Sequence, residues 1–178
     1  MKKLLIFIWE TAKIVIISLA IIIPIRYYLI QPFFVYGASM EPNFSDGQYL
    51  IINEFGYRLN DPQRGEVIVF KYPLNPSQYY IKRIIGLPDE TVEVKDGRVV
   101  IYNSGFPEGR VLDESSYLPD NRVTSGSVKI ELQGDEYFVL GDNRQASSDS
   151  RRWGRLSEEY IIGQVWVRAW PFSLAEIY

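Results

Sequence analysis

The sequence predicts a mainly β protein, an antiparallel-sheet, partly closed, barrel-like domain behind one N-terminal transmembrane helix. Three observations predict it. Residues 12–30 are almost continuously apolar, and a span of about twenty such residues crosses the hydrocarbon core of a bilayer. The rest is rich in residues that favour strands, with 13 Tyr, 9 Phe and abundant Val and Ile. Finally, 10 Pro and 13 Gly punctuate the chain as turns between short strands require.

Taken in order, residues 1–11 form a basic N-terminal segment in which Lys2, Lys3 and Lys13 just beyond it bias the N-terminus towards the cytoplasm. The span 12–30 follows, with Pro24 expected to kink it, Arg26 to snorkel outward and Tyr27 and Tyr28 to sit at the interface. A cleaved secretory signal peptide would share the basic start and apolar run. The length of the run, and the aromatic continuation to Tyr36 where a polar cleavage region belongs, favour a retained anchor. Residues 31–178 then form one extracytoplasmic β-domain, large enough to bury a sizeable core. Gln31–Tyr36 is extended, and Gln48–Asn53 is a strand. Arg64–Pro73 is a turn and a strand, and Tyr79–Ile85 another, closed by Gly86-Leu87-Pro88. Thr91–Lys95 and Arg98–Tyr102 flank Asp96-Gly97, a hairpin signal. Residues 103–126 are polar and read as a surface excursion. Glu136–Leu140 is a strand running into Gly141-Asp142-Asn143. Ser157 is placed to cap a helical turn over 157–160, and Ile161–Trp170 is the final strand.

Composition removes whole classes of chemistry. The chain has no His and no Cys, so it can form no Ser-His-Asp triad, no Cys-His pair, no Cys- or His-based zinc site and no disulfide. Neither a metal nor a cofactor is expected. A formal charge of −3 argues against a nucleic-acid partner. An activated serine must therefore draw its base from Lys, Asp, Glu or an amino terminus.

Two stretches fit that requirement. Gly37-Ala38-Ser39-Met40-Glu41-Pro42 presents a hydroxyl among small residues beside the membrane segment. Tyr80-Ile81-Lys82-Arg83-Ile84-Ile85 places Lys82 on one strand face between Tyr80 and Ile84. A lysine acts as a base only when neutral, about one molecule in a thousand at neutral pH for an unperturbed pKa near 10.4. Burial between an aromatic and an aliphatic neighbour lowers that pKa. Arg83 falls on the opposite face, free to pair with an acid. A third stretch, Gly141–Gly154, is dense in hydroxyls, acids and arginines. It reads as a solvated loop, as a calcium loop lacking the terminal glutamate of the EF-hand pattern, or as a device that aims the lysine.

These stretches together resemble the bacterial type I signal peptidases, membrane-anchored Ser-Lys endopeptidases. The likeness runs through Ser39-Met40 with Pro42, Arg64–Phe70, Tyr80–Pro88, and Gly141-Asp142-Asn143 with Ser147, Asp149, Ser150 and Arg151. It implies a catalytic β-domain in which Ser39 is the nucleophile, Lys82 the general base and Ser147 the hydroxyl that orients it. Asp149 and Arg151 would form a supporting ion pair, Asp142 would pair with Arg83, and Gly141 belongs to the same supporting motif. The Ser39 N–H would donate to the oxyanion. Some relatives have a serine two residues before the nucleophile as a second donor, and here that position is Gly37. The resemblance also implies signal-peptide-bearing precursors as substrates, cut after a small-x-small (Ala-x-Ala-like) site. Val35, Met40, Tyr80 and Ile81 are expected around the substrate pocket, 103–126 as a variable insertion, and a single-pass location in the plasma membrane with the lipid bilayer as a partner. Other readings are a specialised conjugation-type Ser-Lys peptidase, a self-cleaving repressor-type protease, against which the membrane span argues, and a non-catalytic membrane-anchored β-domain.

Overall fold

A computed structural model describes residues 2–28, 30–119 and 123–178; the side chains of residues 24–31 lie outside this description. The interface positions expected for Arg26, Tyr27 and Tyr28, and the tip of the excursion at 120–122, therefore fall outside it. Helix α1 (Lys2–Tyr28) is one continuous element through Pro24. It begins ten residues before the expected span at 12, and its stretch Lys2–Ile23 is long and apolar enough to cross a membrane. The charges at Glu10 and Lys13 do not interrupt it, because they pair with each other at 2.8 Å one turn apart.

The chain then forms β1 (Ile30–Phe34), β2 (Tyr49–Asn53), β3 (Val67–Tyr72), β4 (Asn75–Gly86), β5 (Thr91–Lys95), β6 (Arg98–Asn103), β7 (Phe106–Val111), β8 (Val128–Glu131) and β9 (Glu136–Leu140). A short helix α2 (Ser150–Trp153) precedes β10 (Leu156–Ser157), β11 (Ile161–Trp170) and β12 (Glu176–Ile177). These strands make two antiparallel sheets. One has the order β1-β2-β11-β3-β4-β9-β10, with β12 paired to β11; the other has the order β7-β6-β5-β8. The expected partial barrel is thus two open sheets.

The reason lies in which faces are apolar. In β3, Val67 and Val69 enter one core cluster while Ile68 and Phe70 enter another. In β9, Phe138 and Leu140 face the smaller sheet while Tyr137 and Val139 face away from it. Strands apolar on both faces need cover on both. Both faces of β3 are covered by residues of its own sheet and of the loops around it, whereas the face of β9 that carries Phe138 and Leu140 is covered by the second sheet. That sheet comes so close that a Cβ at Gly86 would overlap Val92, Leu132 and Phe138. The β5–β6 hairpin turns at Asp96-Gly97 as expected, both with positive φ.

Two expectations need correction. The excursion from 103 is not all loop: Phe106–Val111 pairs with β6. Its Pro and Gly concealed it, which suits the terminal strand it proves to be. Ser157 does not cap the turn at Glu158–Tyr160 through its side chain. Its hydroxyl donates to Asp135 at 3.2 Å instead.

Candidate active site

Ser39 lies in the turn of residues 35–48 that joins β1 to β2. The turn is drawn shut by the Val35 N–H donating to the Gln48 carbonyl and the Gly47 N–H to the Val35 carbonyl, each at 2.9 Å. The Gly37 N–H donates to Asp46 Oδ1 at 2.7 Å. Gly37 has φ of 82°, a backbone state that favours glycine. Met40 and Phe44, buried beneath, anchor the turn to the core.

Lys82 comes from the middle of β4, which is sandwiched between β3 and β9. Its side chain is almost fully buried, with 3% exposed. The Tyr80 ring lies 5.3 Å from Nζ, on the face expected for it. Nζ sits 2.7 Å from Ser39 Oγ and donates to the Ile81 carbonyl at 2.7 Å. Burial pulls the ammonium pKa down to about 8, although Asp149 and Asp142 hold it up.

The loop after β9 joins these two parts. Asp142, fully buried, accepts from Arg83 Nε at 2.8 Å and Nη2 at 2.6 Å. Arg83 also donates to the Gly65 carbonyl at 2.7 Å and lies over the Tyr117 ring. Asp149 accepts from Arg151 Nε at 2.8 Å and Nη2 at 2.7 Å, and from the Gly141 N–H at 3.1 Å. Burial alone would raise the Asp149 carboxyl; the Arg151 guanidinium and the Gly141 N–H together hold it below the usual carboxylate range. Gly141 has no room for a side chain, since a Cβ would overlap Ser147 Oγ and the Ser39 carbonyl.

Ser147 is buried beside Gly141, and its hydroxyl makes no hydrogen bond to Lys82. The second partner of the amine is the Ile81 carbonyl, which belongs to the residue just before the lysine and needs no long-range placement.

Four residues given no role from the sequence alone hold this assembly together. The Asn143 N–H donates to the Ser39 carbonyl and its Nδ2 to the Ala38 carbonyl, both at 3.0 Å. Asn43 Nδ2 donates to Asp142 Oδ2 and to the Tyr117 carbonyl, both at 2.7 Å. Arg144, buried, pairs with Glu114 at 2.5 Å and so ties the excursion to the loop. Asn143 lies inside a stretch already singled out, which was the only signal for it; Glu114, 30 residues from its partner, carried none.

Ser39 and Lys82 open on a cavity of about 580 Å³. Its walls are mostly apolar, and Val35, Tyr80 and Ile81 are among them. Met40 is not: it is completely buried in the core under the turn. It packs inward with Val35, Phe44, Val67 and Val69. A larger cavity of about 680 Å³, lined by Asn43, Arg83 and Arg168 among others, touches neither Ser39 nor Lys82. Among the described residues no group of three or more acidic side chains is placed to hold a metal ion.

The arrangement is a buried amine against a hydroxyl at the head of an apolar cleft, which suits nucleophilic attack on an acyl group. Comparison with known proteins agrees with that chemistry. Residues 8–170 match the family described as "Signal peptidase, peptidase S26". The chain is 36% identical over 167 residues to the probable signal peptidase I-2 of Synechocystis sp., covering 91% of this chain and 73% of that protein. It is 32% identical over 173 residues to signal peptidase IB of Staphylococcus aureus, covering 89% of each. A crystal structure of a signal peptidase I from Enterococcus faecalis V583 is 31% identical, with a TM-score of 0.48 over 60% of this chain and 97% of that one.

Proposed function

The chain belongs to the signal peptidase family, peptidase S26, and from that premise we propose which of its residues perform the reaction, and how. The protein is a membrane-anchored peptidase that removes signal peptides, and α1 is the helix that fits the bilayer. Ser39 is the nucleophile and Lys82 its general base. The observation that carries this reading is the 2.7 Å approach of Ser39 Oγ to the amine of a lysine buried and lowered to about 8.

In the neutral amine an N–H remains on the Ile81 carbonyl, which turns the lone pair towards Ser39. As Oγ adds to the scissile carbonyl carbon, its proton passes to Nζ and the carbonyl oxygen becomes an oxyanion facing the Ser39 N–H. The ammonium then gives that proton to the leaving amine, and the peptide bond breaks to leave an acyl-Ser39. Water attacks the acyl group, Lys82 takes a proton from it, and Ser39 is released with the proton returned. The pairs Arg83–Asp142 and Asp149–Arg151 fix the base strand and the loop behind it.

The substrate is a precursor whose signal peptide enters extended. β1 is the terminal strand of its sheet, and β4 is paired on its β9 side only from Arg83 onward. Both present unpaired backbone near the cavity, which suits strand addition. Val35, Tyr80 and Ile81 then limit the side chains next to the cut to small ones, giving cleavage after a small-x-small site. Lys2, Lys3 and Lys13 orient α1 with its N-terminus in the cytoplasm, so that residues 31–178 face outward. The test is to incubate the detergent-solubilised protein with a precursor bearing one Ala-x-Ala site and map the products by mass spectrometry. Cleavage after the second Ala, absent in Ser39→Ala, is the expected result; cutting elsewhere, or an unaffected variant, would refute the assignment.

A further inference from the structure

Resting on that reading of Ser39, we propose that Asn143 is a positioning residue for the oxyanion hole: it grips the peptide unit whose N–H meets the developing negative charge and aims that N–H into the cleft.

The argument begins with the peptide bond itself. The C=O of Ala38 and the N–H of Ser39 belong to one planar unit, and in the trans form they point in opposite directions. Whatever fixes the carbonyl therefore fixes the N–H. The Ala38 carbonyl accepts from Asn143 Nδ2 at 3.0 Å and from the Glu41 N–H at 3.2 Å. The next carbonyl, that of Ser39, accepts from the Asn143 backbone N–H at 3.0 Å. One asparagine thus holds the two carbonyls that flank the Ser39 α-carbon. The Ser39 N–H is left without an acceptor among the described residues.

Hydrogen bonding at one end of a peptide unit also polarises the other, strengthening it as a donor by roughly a tenth to a third. Both effects bear on the one backbone donor assigned to the oxyanion. Position 37 is glycine at φ of 82°, so a donor side chain there would need a strained backbone. Asn143 is itself held in place. Asp142 before it is locked to Arg83 and Asn43, and Arg144 after it to Glu114 and Thr124. Its carboxamide reaches across 105 residues of sequence to a loop otherwise joined to this region chiefly through Ser39 and Asn43.

The experiment compares wild type with Asn143→Ala, which removes the donor, and Asn143→Asp, which faces the Ala38 carbonyl with a carboxylate. Two readouts are taken on the detergent-solubilised full chain. The first is kcat and KM on a peptide with an Ala-x-Ala site. The second is the inhibition constant of a peptide aldehyde ending in Ala-x-Ala against that of the matching alcohol. Ser39 Oγ adds to the aldehyde carbon and the oxygen takes up a proton, giving a hemiacetal that places an oxygen at the oxyanion position; the alcohol binds without forming that bond. Removing one oxyanion donor outright costs about 100- to 1,000-fold. Misaiming it should lower kcat roughly ten- to a hundredfold, Asp more than Ala, with KM within about threefold. The aldehyde-over-alcohol preference should fall in step. Each inhibition constant reports only folded, binding-competent molecules, so the ratio is independent of how much of a variant folds. A kcat loss with the ratio unchanged would make Asn143 merely structural and overturn the proposal, as would unchanged kcat in both variants. Inactive wild type would instead overturn the reading of Ser39 and Lys82 on which it rests.

Discussion

Substituting Asp142→Asn removes one negative charge from the centre of the site without changing its size. In the wild type that carboxylate is fully buried and accepts three hydrogen bonds, two from Arg83 and one from Asn43. The guanidinium it neutralises is itself only 8% exposed. The variant leaves Arg83 with the Gly65 carbonyl, the Tyr117 ring and a neutral carboxamide. Stranding one partner of a buried pair costs about 3–5 kcal/mol, because the remaining charge was desolvated in expectation of the other. For a domain of this size that is a fall in Tm of roughly 10 °C. Urea unfolding of the detergent-solubilised protein, followed by its 4 tryptophans, measures it. The double variant Arg83→Met/Asp142→Leu should recover most of the loss, since apolar residues of similar volume replace a buried pair at little cost. It should not recover activity, as the Asn43 tie to the loop is gone. A loss below about 1 kcal/mol in Asp142→Asn, the range of exposed pairs, would refute the reasoning.

The remaining predictions concern the base and the loop. The pH profile of kcat/KM should rise through an apparent pKa of about 8, where Lys82 loses its proton, and Asp149→Asn should shift that limb to lower pH by removing a charge that stabilises the ammonium; a limb near 10 would contradict burial as the cause. The same group makes stability depend on pH. The unfolded lysine holds its proton to about 10.4, so between about 8 and 10 the unfolded state binds more protons and folding strengthens as pH rises. The cost of the buried ammonium, about 3 kcal/mol, is present in full below that window and should be relieved across it in urea titrations. Gly141→Ala should destabilise the fold by about 1–3 kcal/mol and lower kcat at least tenfold, because its methyl displaces the Ser39 carbonyl or Ser147; wild-type kinetics in that variant would show the loop to be slack.

Much of this was legible from the sequence because it is local. Alternation and apolar runs mark β2, β3, β4, β5, β6 and β9, and Asp96-Gly97 marks its hairpin. The placement of Tyr80 beside Lys82, with Arg83 turned away, follows from the two-residue period of a strand. What could not be read depends on distant partners. β7 contains Pro107 and Gly109, which read as loop until β6 is seen beside them. Two apolar faces on β9 imply cover, but not whether a barrel or a second sheet provides it. Met40 was expected in the pocket, but it packs with Val35 and Phe44 in the core, a placement that only the fold of residues 35–48 reveals. Asn43, Asn143 and Glu114 are ordinary loop residues until contacts spanning 30 to 105 residues bring them to the site.

The central claim is that Lys82, buried and adjacent to Ser39, is the base. The most direct measurement runs wild type and Lys82→Ala side by side on one Ala-x-Ala precursor, in detergent, after matching their unfolding curves. The account predicts cleavage after the second Ala by wild type and none detectable by a folded Lys82→Ala protein; full activity in that variant would contradict it.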